Sequence, residues 1–70
     1  SYRHNQRDIG LTFEVLIEGD SKRSPDMFKG RNSQNKMIVF NKKKGLKPGD
    51  YINVKVVAAS SATLQGTIEA

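Results

Sequence analysis

Positive charge is the chemistry this sequence offers first. Lys42, Lys43 and Lys44 stand in a row within NKKKGLKPGDY (41–51), and Lys47 follows three residues later. Lys22 and Arg23 sit in SKRSPD (21–26), Arg31 follows Gly30, and Lys36 follows the polar run NSQN (32–35). Ammonium and guanidinium groups neutralise phosphates, the guanidinium bidentately. Asn32 and Asn35 bring amides that can both donate to and accept from base edges or sugar hydroxyls. Unpaired bases stack on aromatic rings for about 1–3 kcal/mol each. The aromatics in question are Phe28, Phe40 and Tyr51. Burial in the core is the competing use of each ring, and Phe40, inside the apolar run MIVF (37–40), is expected there. The candidate nucleic-acid-binding set is therefore Lys22, Arg23, Phe28, Arg31, Asn32, Asn35, Lys36, Lys42, Lys43, Lys44 and Lys47. The competing reading of the lysine run is a solvated turn.

Catalytic chemistry finds no comparable set. His4 is the one histidine and has no nucleophile or carboxylate at an informative spacing. Glu14 and Glu18 are four apart, on one face of a strand, where carboxylates are ordinarily solvated. Asp20, Asp26 and Asp50 fall in turns, where Asp bonds its own backbone. GLKPGD does not have the spacing of a phosphate-cradling loop. There is no cysteine, so thiolate clusters, disulfides and cysteine-bound zinc are excluded. No metal site is expected.

Length and charge distribution set the frame for these residues. Seventy residues allow one domain with a thin core. The net charge of +5 is unevenly spread. Residues 20–49 carry nine Lys and Arg against two Asp, a net +7, whereas the remainder carries a net −2. A basic middle of this kind reads as a patch for nucleic acid or an acidic surface. No apolar run approaches the roughly 20 residues that span a bilayer, and no signal-peptide core is visible. A cytoplasmic monomer without membrane contact is expected.

Five strands must position the set. In LTFEVLIEGD (11–20), Phe13, Val15 and Ile17 alternate with Glu14, Leu16 and Glu18. SKRSPD is a loop. MFKGRNSQ (27–34) is a second strand, in which Gly30 marks a bulge or a close backbone approach. NKMIVFN (35–41) is a third, with little exposed face. Pro48-Gly49-Asp50 ends the basic loop as a turn. YINVKVVAA (51–59) alternates and is rich in β-branched residues, and TLQGTIE (63–69) completes the set. No helical period persists for more than one turn. Five strands in some 60 residues suit an all-β, five-stranded OB-like barrel, whose closure leaves no free edge. Ligands of such barrels lie across the second and third strands and touch the first and fourth loops. The lysine-rich loop is instead the third.

EVLIEGDSKR (14–23), GRNSQNKMIVF (30–40), GDYINVKV (49–56) and SATLQG (61–66), in that order, resemble a TRAM domain over residues 10–69. The resemblance implies an RNA-binding barrel appended to an RNA-modifying enzyme. It is closest to the carboxy-terminal TRAM domain of MiaB-type methylthiotransferases, radical S-adenosylmethionine enzymes that methylthiolate an isopentenylated adenosine beside the tRNA anticodon. NQRDIG (5–10) resembles the join to their catalytic domain. Residues 1–9 are thus expected as a linker from an upstream catalytic domain, and 10–70 as the TRAM domain. By the family pattern, Ser21, Lys22, Arg23, Gly30, Arg31, Asn35 and Lys36 face RNA. Asn35, Lys36 and MIVF favour tRNA over the ribosomal protein modified by a related enzyme. The lysine triplet is longer and more basic than the family pattern, so its phosphate role rests on charge alone. The implied cofactors, iron–sulfur clusters and S-adenosylmethionine, belong to the catalytic domain and not to this cysteine-free chain.

The resulting expectation is a non-catalytic domain that holds the anticodon arm of tRNA for a methylthiotransferase. Its rivals are a free-standing small RNA-binding or RNA-chaperone protein and a module that recruits an acidic partner such as a ribosomal protein.

Overall fold

The alternating segments close on one another. The computed structural model describes residues 6–69 and contains strands β1 (Thr12–Asp20), β2 (Met27–Arg31), β3 (Met37–Asn41), β4 (Tyr51–Ala59) and β5 (Leu64–Ile68). They form a closed barrel in the order β1-β2-β3-β5-β4, with β4 returning to β1. The β3–β5 pair is parallel and the others are antiparallel. The all-β, OB-like expectation holds. His4 and the first five residues of the expected linker lie outside the described residues.

The period of two decides what fills the barrel. Val15, Ile17, Phe28, Ile38, Phe40, Val54, Val56 and Leu64 form the buried core, with Phe13, Leu46, Ile52, Ala59 and Ile68 packed against it. Burying such a side chain is worth about 1.5–3 kcal/mol. Phe40 is fully buried, as expected, and its ring centroid lies 6.1 Å from that of Phe28.

Gly30 is a point of close approach. It pairs with Ile17 at the edge of a register shift and with Ile38, and a Cβ on it would lie 2.4 Å from the Leu16 carbonyl oxygen. A bulge also falls at this point, on the partner strand: the β1 register shifts between Ile17 and Gly19, opposite Gly30 and Lys29, and β4 shifts between Val56 and Ala58. Such bulges sharpen the bend that closure requires.

NSQNK corrects the expected strand bounds. Residues 32–36 are a hairpin loop, and neither the second nor the third strand extends into it. The cause is Asn32. Its Oδ1 accepts the backbone N–H groups of Gln34 and Lys36, both at 3.0 Å, and so competes with ladder pairing. Asn35 closes the turn at φ 61°, a left-handed conformation that asparagine tolerates.

Residues 6–11 lie along the barrel. The Gly10 N–H donates to the Val56 carbonyl at 2.8 Å, and the Val56 N–H donates back to Leu11 at 2.9 Å. Asp8 is buried, and its Oδ2 lies 2.6 Å from Lys36 Nζ. Removing the ammonium would leave a buried carboxylate without its partner. Lys36→Met is therefore expected to cost about 1–2 kcal/mol, less than a fully buried pair because Lys36 is partly solvated. A thermal melt by circular dichroism checks this, and an unchanged midpoint would show that the pair contributes nothing.

Candidate nucleic-acid interface

The outward faces of β2 and β3 form the floor of a groove. Along β2, Phe28 and Gly30 point into the barrel while Met27, Lys29 and Arg31 face out. Along β3, Ile38 and Phe40 point in while Met37 and Val39 face out. The 21–26 loop forms one wall and the 60–63 turn the other. The groove has a volume of about 780 Å³, with Gln65 of β5 also on its surface. The 21–26 loop is held by the Ser21 N–H donating to Met27 at 2.8 Å. The 60–63 turn is held by the Ser60 N–H donating to Thr63 at 2.8 Å and by the Ser60 hydroxyl.

Charge in the groove is available for a ligand. Lys22 and Arg23 are exposed and Lys29 is half-buried, and among the described residues none has an ion pair. Arg31 is engaged more loosely. Its Nε lies 3.4 Å from Glu18, and its Nη1 donates to the Asn35 carbonyl at 3.3 Å. An apolar strip of Met27, Met37 and Val39 beneath such cations suits a chain of flat apolar faces linked by anions.

The structure does not bring the eleven candidates together in one place. Lys22, Arg23 and Arg31 meet in the groove. Lys36 is held by Asp8. Phe28 is 5% exposed and packed against Phe40, so it offers no face to a base; the apolar core outcompetes that use. Asn32 is 6% exposed with its Oδ1 committed to the loop backbone, and its Nδ2 is buried without a partner among the described residues. Asn35 is exposed, but its main role is the left-handed turn.

The lysine triplet lies on the barrel end, in the 42–50 loop, and does not line the groove. Leu46, partly buried, packs against the core, and the Gly49 N–H donates to the Ile17 carbonyl at 2.8 Å, so the loop covers that end. Lys42 Nζ sits 5.0 Å above the Phe28 ring and 2.8 Å from Asp20. Lys47 Nζ bonds Asp50 at 3.1 Å, and that bond, followed by the Lys47 backbone N–H, holds the Asp50 carboxyl below its ordinary range. Lys43 and Lys44 are exposed and have no ion pair among the described residues. The triplet still adjoins the first loop, because the Lys42 N–H donates to the Asp26 carbonyl at 3.1 Å.

Lys29, Met27, Met37, Val39 and Gln65 were not among the candidates. The alternation of MFKGR contained the signal for Lys29, since inward Phe28 and Gly30 force residue 29 outward. MIVF hid Met37 and Val39, because a run that is apolar on both faces reads as wholly buried.

Residues 6–68 match the TRAM domain family. The chain belongs to that family. The TRAM domain is 54% identical over 68 residues to a tRNA-2-methylthio-N(6)-dimethylallyladenosine synthase of Porphyromonas gingivalis, covering 97% of this chain and 14% of the relative. The synthase of the same name from Parabacteroides distasonis is 58% identical over 66 residues, covering 94% of this chain and 14% of the relative. That of Chloroherpeton thalassium is 56% identical over 61 residues, covering 87% of this chain and 13% of the relative. The chain thus spans about one-seventh of the length of these relatives. Among the described residues, no His, Cys, Asp or Glu cluster could hold a metal ion, and no helix is long and apolar enough to cross a membrane.

Proposed function

We propose that this TRAM domain binds RNA in the β2–β3 groove and holds the anticodon arm of a tRNA for a methylthiotransferase. The observation that carries this reading is the groove itself. Three cations with no ion pair among the described residues, Lys22, Arg23 and Lys29, stand with Arg31 around an apolar floor. Phosphates would meet the cations, and bases would lie over Met27, Met37 and Val39. The likeness to synthases named for a tRNA product supports tRNA as the RNA and an appended rather than free-standing domain.

On this reading residues 1–9 link a monomeric, cytoplasmic module to a catalytic domain upstream. Iron–sulfur and S-adenosylmethionine chemistry belongs to that domain. The residues of this chain do not fit an iron–sulfur cluster, for they include no thiolate donor. The work of the domain is to supply electrostatic affinity and to raise the local concentration of substrate.

Titration of an anticodon stem-loop across a range of salt concentrations tests the mechanism. If each of the four groove cations neutralises one phosphate, log K falls with log salt at a slope of about −3. A flat slope, or no binding at low salt, would remove the electrostatic reading.

A further inference from the structure

A second cleft, of about 500 Å³, opens on the β1 and β4 side of the barrel. Glu14, Leu16 and Glu18 of β1, Arg31, Asn32, Ser33 and Asn35 of the β2–β3 hairpin, and Tyr51 of β4 line it. It is continuous with the groove. Tyr51 is paired with Leu16, Leu16 with Arg31, and Arg31 with Met37, so one outward row of side chains crosses four strands. Arg31 borders both concavities.

The chemistry of the cleft differs from that of the groove. Glu14 and Glu18 are both exposed, and the one cation, Arg31, already faces Glu18 at 3.4 Å. The balance is acidic, so a phosphate is repelled. Tyr51 is 64% exposed, and its hydroxyl has no partner among the described residues. A large aromatic at the head of a strand, left open beside two carboxylates, offers a stacking face and N–H acceptors together. In the wall, the buried Asn32 Nδ2 has no partner among the described residues.

We infer that this cleft holds one unpaired nucleobase rich in N–H donors, with guanine the best fit, on the strand that leaves the groove across Arg31. The inference rests on the groove reading. The base stacks on Tyr51. Its N1–H and exocyclic amine donate to Glu14 or Glu18, as unstacked bases are commonly read by an aromatic plane and hydrogen bonds to their pairing edge. The backbone phosphate stays on the Arg31 side, outside the acidic wall. The cleft would thereby distinguish an open loop from a duplex, in which every pairing edge is occupied.

Two eight-nucleotide RNAs test this on the 70-residue chain, one all uridine and one with a single central guanosine. The guanosine strand is expected to bind more tightly by about five- to 150-fold, the range of one stacking contact of about 1–3 kcal/mol. Tyr51→Ala and Tyr51→Leu should abolish that preference without changing the salt slope, and Tyr51→Phe should keep it. The Tyr51 ring protons should move upfield on binding the guanosine strand. Equal binding of both strands by the parent, with the groove's salt slope intact, would overturn the cleft and leave the groove standing. So would a preference that survives in Tyr51→Leu, or a loss accompanied by a shallower slope. Absence of binding to either strand at low salt would overturn the groove reading and the cleft with it.

Discussion

Gly30→Ala is expected to unfold the barrel or lower its melting midpoint by more than about 12 °C. The added Cβ would lie 2.4 Å from the Leu16 carbonyl oxygen and 2.5 Å from Val15 Cγ1. A rotamer change at Val15 could relieve the second contact. It cannot relieve the first, because the Leu16 carbonyl belongs to the β1 backbone, which pairs with β2 on one side and β4 on the other. Overpacking of a rigid site costs about 3 kcal/mol or more when the backbone must move. A 70-residue domain has only about 4–10 kcal/mol of net stability, and each kcal/mol shifts the midpoint by about 4–8 °C. Gly45→Ala is the control. Gly45 has φ +93° but open space around it, so the methyl costs only its conformational strain of about 1–2 kcal/mol. Melts of the two variants beside the parent decide the matter. If Gly30→Ala melted within a few degrees of Gly45→Ala, β1 and β2 would be able to part freely, and the close approach would not be what holds the groove strand in place.

The same residues show how far the sequence could be read. Gly30 announced either a bulge or a close approach, and the structure has both, the bulge being on β1 opposite it, which no pattern within β2 contains. The barrel was legible because Val15, Ile17, Val54, Val56 and Leu64 keep a period of two that points them at one core. Charge was legible as a patch but not as a site. Lys22 and Lys36 are the same residue type in the same basic stretch, yet Lys36 lies 2.6 Å from Asp8, 28 positions away in the sequence, and Lys22 has no ion pair among the described residues. No local pattern contains that distinction, because it depends on the 6–11 segment lying beside the β2–β3 hairpin. Asn32 was misleading for a related reason. An exposed amide can read a base edge, but one that turns inward to cap two backbone N–H groups is consumed by its own loop. The lysine triplet was conspicuous through composition, and its placement follows from Leu46, a single, partly buried apolar residue that packs the loop against the core.

Those placements separate two charge reversals that composition would treat alike. Lys22→Glu with Arg23→Glu should weaken stem-loop binding on the order of 100-fold at about 0.1 M salt, and should make the salt slope shallower by about 1.4. The magnitude follows from two lost phosphate contacts, each worth about 0.7 in slope, together with the repulsion of two new carboxylates in the groove wall. Stability should be nearly unaffected, because both side chains are exposed and neither has an ion pair among the described residues. Lys43→Glu with Lys44→Glu makes the same change in net charge on the barrel end. Lys43 and Lys44 do not line the groove and would act on RNA bound there only through solvent-screened charge, so only a few-fold loss is expected. Fluorescence anisotropy of both double variants at matched salt, with melts to confirm folding, gives the comparison. Equal losses would mean that RNA responds to the total charge and not to the groove. A larger loss from the barrel-end pair would move the binding surface onto the 42–50 loop, and the open cations at Lys22 and Arg23 would then be solvated charge with no ligand.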